Sequence, residues 1–238
     1  MAEPPSPQDP PYSKAHRAAE VVGIAMLLGL TVVGIVQVAR YTDDAVELVW
    51  VGLGILLGYV LADFASGIVH WLGDRYGTAE TPVLGPNFIR PFRAHHVDPK
   101  GMTRHDFIET NGNNSMVTVP LMAACFVIFP LDSTLGLFGF CTAVSLSAWV
   151  FATNQFHKWS HQDHVPAIVL YLQRLGIILA PSHHNVHHAF PYETYYCITS
   201  GWLNAPLHRL KFWSRAEAFV AAVFGVEAFR DVPRDRRG

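Results

Sequence analysis

Long apolar runs separated by short polar connections organise this chain. Val21 to Ala39 is unbroken by charge and, as a helix rising 1.5 Å per residue, is long enough to cross a hydrocarbon core of about 30 Å. Leu48 to Leu72 predicts a second spanning helix, whose last third carries Asp63, Ser66 and His70, with Asp74 just beyond. Met116 to Phe129 and Thr134 to Thr153 predict a helical hairpin turned at Pro130, Leu131, Asp132 and Ser133. Its first arm is brief and is expected to begin a turn earlier, at Asn113 or Asn114. The second arm continues past the membrane surface, because Asn154, His157 and His161 keep one face at helical spacing. Val165 to Ala180 is shorter than a span and is interrupted by Gln173 and Arg174. It reads as an interfacial or re-entrant helix, with a full fifth span as the alternative. The pattern predicts an all-α membrane protein of about four transmembrane helices plus an interfacial helix.

Composition supports that class, with 50% hydrophobic and only 15% charged residues. A formal net charge of -2 gives no basic excess for nucleic acid. Arg230, Arg234, Arg236 and Arg237 mark residues 226–238 as a basic tail, solvated near anionic lipid. A proline-rich leader opens residues 1–19, expected to be flexible, and the first apolar run reads as a retained anchor because no small-residue cleavage pattern follows it. Residues 20–225 are treated as one domain. Of the 17 Lys and Arg, only Arg40 falls in a loop on the far side, beside Asp43, Asp44, Glu47 and Asp132. Both termini and all histidine clusters are therefore expected on the cytoplasmic face. Cys125, Cys141 and Cys197 lack metal-ligand or disulfide-framework spacing.

The chemistry is carried by histidines at the ends of the apolar segments. His157 and His161 stand four apart at a helix end, a weak signal alone. His183, His184, Asn185, Val186, His187 and His188 form a stronger one, since four imidazoles in six residues suit no packed core. A short helix there projects His184, His187 and His188 over one site. The adjacent pair His95 and His96, in an extended or irregular segment, can reach two different metals. His70 lies at the end of a span, where an ionisable group is a functional candidate by default. His105 is either a ligand or a loop residue oriented by Asp106. Asp63 shares the His70 face, either orienting a ligand imidazole or serving a structural role by capping a buried hydroxyl or pairing with an arginine, and Asn154 is a second candidate for orienting a ligand. Glu109, Asn111, Asn113 and Asn114 are candidates for second-shell or headgroup contacts. His16, His164 and His208 read as surface residues. Nitrogen-rich ligation by many imidazoles fits several first-row metals. Attack on an unactivated C–H bond of a lipid chain selects a redox metal and makes two irons the expected choice.

Six strings carry a family resemblance: ADFASGIVHW (62–71), FIRPFRAHHVDP (88–99), TRHDFIETNG (103–112), TNQFHKWSH (153–161), HHNVHH (183–188) and ETYYCITSGWLN (193–204). In order, and over residues 50 to 215, the chain resembles the plasmanylethanolamine desaturases, the CarF-type membrane lipid desaturases. The resemblance implies an enzyme that uses iron and O2 to dehydrogenate the 1-O-alkyl chain of an ether phospholipid at its first two carbons. Its histidine boxes fall on His157 to His161 and His184 to His188, and His70, His95, His96, His105, His183 and His187 match the family's other histidines. The middle box reads FRAHH, with Phe92 or Arg93 where the wider acyl desaturase pattern has a first histidine. The expected catalytic set is His70, His95, His96, His157, His161, His184, His187 and His188. Metal ligation extends in expectation to His105 and His183.

No flavin, haem or iron–sulfur motif is visible, so electrons are expected from a cytochrome b5-like or ferredoxin-like partner protein. The expected location is a bacterial inner membrane, or the endoplasmic reticulum in a eukaryote. Hydroxylation, or desaturation of an acyl chain, is the near alternative. A metal transporter or membrane cytochrome fits poorly with ligands gathered at one membrane face.

Overall fold

The computed structural model describes residues 13 to 230, apart from the side chains of Pro86 and Asn87. The prolines of the leader and Arg234, Arg236 and Arg237 of the expected basic tail lie outside the described residues. The described chain contains nine α-helices: α1 (Lys14–Arg40), α2 (Ala45–Arg75), α3 (Arg90–His95), α4 (Phe107–Ile128), α5 (Thr134–His161), α6 (Ala167–Arg174), α7 (Pro181–His187), α8 (Asn204–Arg209) and α9 (Phe212–Phe224). Three of them, α1, α2 and α5, are long and apolar enough to cross a membrane.

Local chemistry explains where the helices start. Ser13 caps α1, its hydroxyl accepting from the His16 amide at 3.1 Å, so α1 begins at Lys14 and not at the apolar boundary near Val21. Asp44 accepts from the amides of Val46 and Glu47 and opens α2. Asp106 does the same for α4 through Ile108 and Glu109. As a result α4 starts two turns before the Asn113 or Asn114 expected from the apolar pattern. The Asn-Gly-Asn-Asn stretch is rich in residues that suit turns, yet it is helical, and the side-chain NH2 groups of Asn111 and Asn114 find acceptors there. Asn111 donates to the Phe107 carbonyl and to Gln155, and Asn114 to the Val150 carbonyl.

Two other segments also differ from expectation. Residues 90–95 are helical, with Pro91 in the first turn, where an irregular segment was expected; proline's fixed φ suits that position. The Val165 to Ala180 run folds only from Ala167 to Arg174, eight residues, and turns at Gly176 with φ +67°. A span needs about 20 residues, which rules out the fifth-span alternative.

The described residues form two compact units. One comprises 13–62 and 105–155, the other 63–104 and 156–230. In the first, α4 packs along α1, with Gly112 against the Glu20 side chain. Within the same unit α2 and α5 cross closely: a Cβ on Gly58 would collide with the Thr142 carbonyl, and Ser145 donates to the Ile55 carbonyl at 2.8 Å. Small residues that let backbones approach are the packing device of helices without a hydrophobic drive between them. The second unit holds the C-terminal turns of α2 and α5, the short helices α3 and α6 to α9, and an aromatic core of Trp71, Tyr196, Cys197, Leu207 and Trp213.

In that second unit the C-terminal segment folds back. The Phe229 amide donates to the Arg75 carbonyl at 2.7 Å, and Arg93 lies over the Phe229 ring at 4.1 Å. Arg230 was expected to be free in a solvated tail. It instead bonds Glu193 at 2.7 Å and Glu217 at 2.9 Å.

Candidate metal centre

Four short stretches bring their imidazoles together inside the second unit. The last turns of α2 carry His70 and Asp74, one helical turn apart and therefore on one face. The end of α5 carries His157 and His161 in the same relation. α3 ends on His95 and is capped by His96, and α7 holds His184 and His187 with His188 as its cap. Adjacent residues on a helix diverge by about 100°, so each adjacent pair sends its two rings different ways.

The result is two ligand groups. His95, His157, His161, His184 and His188 converge in one, and His70, Asp74, His96 and His187 in the other, with the candidate ligand atoms of each group within 4.8 Å of one another. In the first group the Nε2 atoms face each other at 2.8 Å (His157 and His184), 3.0 Å (His95 and His161; His184 and His188) and 3.2 Å (His157 and His161). In the second, His96 Nε2 is 3.0 Å from His187 Nε2. Asp74 Oδ2 lies 3.4 Å from His70 Nε2, 3.5 Å from His96 Nε2 and 3.4 Å from His187 Nε2.

These separations fit metal ligation. Two imidazole nitrogens each about 2.1 Å from one ion are about 3.0 Å apart at right angles and about 3.4 Å apart at the tetrahedral angle. The tautomers point the same way. His70 Nδ1 is 3.2 Å from the Tyr196 carbonyl and His187 Nδ1 is 2.8 Å from the Thr194 carbonyl. A carbonyl only accepts, so both Nδ1 atoms carry the proton and each Nε2 turns a lone pair inward. His70 Nε2 is buried with no hydrogen-bond partner among the described residues. Lone pairs gathered so closely repel unless a cation lies among them, and imidazoles with one carboxylate are suitable donors for iron.

Burial reinforces the neutral form of these ligands. It pushes the His95 pKa down to about 2 and those of His96 and His187 to about 4, from an ordinary value near 6.5. The neighbouring imidazoles add to the effect at His95, and Asp74 opposes it at His96. His184 and His188 are lowered as well, first by burial and then by adjacent histidines. A neutral imidazole is the form that binds metal.

The outer contacts are built by one loop. Asp63, wholly buried, accepts from the amides of Ser200, Gly201 and Leu203 at 2.8 to 3.0 Å. Ser66 accepts from the Ile198 amide at 3.0 Å, and the Asn204 side chain bonds both the amide and the carbonyl of Cys197. The loop so fixed to α2 presents the Tyr196 carbonyl to His70. Just before it, Tyr192 stacks on His96 at 4.5 Å, and Tyr192 and Tyr195 both adopt left-handed backbone conformations, with φ of +61°. Such conformations are costly for bulky side chains and persist where the surroundings impose them.

Against the sequence expectations, the eight histidines of the catalytic set are the eight that converge. His105 and His183 do not join either group. His105 is half-exposed beside Glu109 at 3.8 Å, and His183 packs against Tyr195. His187 parts company with His184 and His188, because it lies about 100° around the helix from His188 and turns its ring toward the second group. His95 and His96 do diverge to two groups, though from a helix end and not an extended segment. Asp63 binds loop amides and no imidazole among the described residues, so its effect on His70 passes through the loop. Asn154 binds the Thr110 carbonyl and Asn114, within the other unit. Asp74 was not among the expected ligands. Its spacing of four from His70 was the available signal.

Long apolar helices together with two histidine-rich groups that could hold metal ions mark the class of membrane enzymes. Residues 59–231 match the model of the lipid desaturase domain, and the chain belongs to that family of desaturases. It is 46% identical to a plasmanylethanolamine desaturase of Myxococcus xanthus over 90% of this chain and 75% of the relative. It is 40% identical to plasmanylethanolamine desaturase 1 of Mus musculus over 90% and 80%. A chloroplastic fatty acid desaturase 4-like 1 of Arabidopsis thaliana is 33% identical over 73% of this chain and 58% of that protein. No solved structure matches.

Proposed function

We propose that the chain is an O2-dependent desaturase that converts the 1-O-alkyl chain of an ether phospholipid into the vinyl ether of a plasmalogen. The observation that carries the reading is the convergence of eight histidines and Asp74 into two adjacent ligand groups, in a chain similar over nine-tenths of its length to two plasmanylethanolamine desaturases. His95, His157, His161, His184 and His188 would hold one iron, and His70, Asp74, His96 and His187 the other. When bound, two irons supply the one-electron chemistry that lets O2 attack an unactivated C–H bond, which zinc does not supply. Overall, one CH2–CH2 unit, one O2, two electrons and two protons give one CH=CH unit and two molecules of water.

The residues themselves do the rest. The Tyr196 and Thr194 carbonyls hold two ligand rings in one tautomer, and burial keeps the histidines neutral and bulk water away. Electrons enter from a cytochrome b5-like or ferredoxin-like protein. In the topology we favour, α4 is a fourth span beside α1, α2 and α5, and α6 lies in the interface with Ile168, Tyr171 and Leu175 exposed toward lipid. The ligand groups then face the cytoplasm, in keeping with the charge bias of the loops.

The test is lipid mass spectrometry of cells that lack vinyl ethers, fed a 1-O-alkyl glycerol and expressing this chain. Acid-labile species lighter than the alkyl precursor by two hydrogens are expected. Their absence, with iron-loaded protein and an electron donor present, would overturn the reading. A double bond in the acyl chain would move it toward the activity for which the chloroplast relative is named.

A further inference from the structure

The aromatic core of the second unit begins at the metal ligands. The Tyr196 ring lies 5.0 Å from the His187 ring and 5.8 Å from that of His70. Trp213 lies 5.0 Å from Tyr196, Trp71 lies 5.7 Å from Trp213, and Tyr76 lies 5.1 Å from Trp71. Tyr196, Trp213 and Trp71 are buried, and Tyr76, just past the end of α2, is half-buried. Four rings of the two most easily oxidised aromatic side-chain types thus stand in unbroken contact from the ligands to a partly open position.

Packing alone does not account for these residue types. The Nε1 atoms of Trp71 and Trp213 and the hydroxyl of Tyr76 are buried with no hydrogen-bond partner among the described residues. A core chosen only for volume would use phenylalanine or leucine and avoid that cost. An indole whose N–H has no acceptor beside it can lose and regain an electron while keeping its proton, which leaves the charge free to move on.

We propose, resting on the desaturase reading above, that Tyr196, Trp213, Trp71 and Tyr76 form an escape path for oxidising equivalents when the centre is oxidised without a lipid chain in place. One electron at a time passes from Trp213, across Tyr196, into the oxidised centre. Trp71 refills Trp213, Tyr76 refills Trp71 while its phenol proton passes to solvent at the partly open end, and a small thiol returns a hydrogen atom to Tyr76. Two such electrons and two protons from water spend the oxidising equivalents of one two-electron oxidant. Two thiols become one disulfide and release two protons by way of Tyr76, so the balance closes. The ligand histidines, which sit closest to the oxidant, are spared.

The experiment exposes the iron-loaded full chain to hydrogen peroxide without substrate lipid, with and without glutathione. Wild type is compared with Trp213→Phe, Trp71→Phe and, as an off-path control, Trp202→Phe. Peptide mass spectrometry locates oxygen adducts, freeze-quenched electron paramagnetic resonance detects indole or phenoxyl radicals, and vinyl-ether formation is assayed on each sample before and after exposure. Metal content and thermal midpoint show that each variant is folded. In wild type, adducts are expected on Trp71 and Tyr76 and are suppressed by glutathione. In Trp213→Phe they shift to Tyr196 and the ligand histidines, and activity is lost several-fold sooner, with an unchanged starting rate. Trp71→Phe, which breaks the path one ring further out, confines adducts to Trp213 and Tyr196. Adducts and lifetimes identical in wild type and both path variants would overturn the proposal. A marked path in wild type that forms no vinyl ether would overturn the substrate reading alone.

Discussion

Asp74 is the residue that makes the two ligand groups chemically unequal. Five imidazoles leave their ion with its full charge, whereas a carboxylate oxygen within 3.5 Å of three Nε2 atoms offsets part of the charge on the other. Asp74→Asn keeps the shape and removes the charge, so the variant is expected to keep the ion of the all-histidine group and lose most of the other. Metal analysis of purified protein checks this, and product formation is expected to fall by at least the roughly 10–100-fold typical when a metal site loses a supporting group. His187→Ala should lose the same ion. His105→Ala should lose neither, since His105 is half-exposed beside Glu109; a loss of metal there would refute the ligand assignment. At this scale the sequence was largely legible, because clustered imidazoles have few other uses. The exceptions are physical: adjacent boxes do not say which ring faces which ion, and a carboxylate at a membrane boundary looks the same whether it binds water or metal.

The loop after α7 depends on an anchor in α2. Asp63 is wholly buried and accepts from three loop amides, so Asp63→Ala leaves three donors unsatisfied at about 1–3 kcal/mol each, not fully additive. A loss of about 3 kcal/mol or more is expected in thermal or denaturant unfolding, with iron retention falling in parallel because the loop carries the Tyr196 carbonyl that holds His70. The ion pairs on Glu217 give a contrasting prediction. Arg75 is 1% exposed and Arg230 58% exposed, and both bond the same carboxylate. Arg75→Ala removes the buried partner of Glu217 and leaves it only the exposed Arg230, so it should cost about 2–4 kcal/mol, whereas Arg230→Ala should cost at most about 1 kcal/mol. Equal costs would mean that the C-terminal segment, and not α2, holds Glu217. Elements were legible where an apolar period ran unbroken, as in α2 and α5. They were misread where polar side chains donate to acceptors inside the fold, as Asn111 and Asn114 do in α4, and where a cap decides the boundary, as at Ser13 and Asp106.

For the whole molecule, apolar runs announced the class, while the gathering of 63–104 with 156–230 into one unit was not readable, since the contacts that make it are between side chains distant in sequence. That gathering buries the histidines, and burial sets how folding and metal binding answer to pH. His95, His96 and His187 titrate near 6.5 when unfolded and at about 2, 4 and 4 when folded. Their folded values are depressed, so below pH 6.5 the unfolded chain binds more protons than the folded one. The stability they contribute is therefore fully present above about pH 6.5 and drains away as pH falls, through about 4 for His96 and His187 and on toward about 2 for His95. Metal-free protein is expected to lose thermal midpoint steadily over that window and to change little between pH 7 and 8. Metal binds only the folded, neutral ligand set, so loading adds stability by mass action and should hold the midpoint level further into the acid range. Unfolding scans of chelator-treated and iron-loaded protein from pH 8 to 4 measure both curves. Two curves that fall together would separate the histidines from the metal, because a bound ion must resist the protons that compete for its ligands. If the loaded curve instead breaks sharply near pH 4 with release of iron, the same imidazoles hold the fold and the metal.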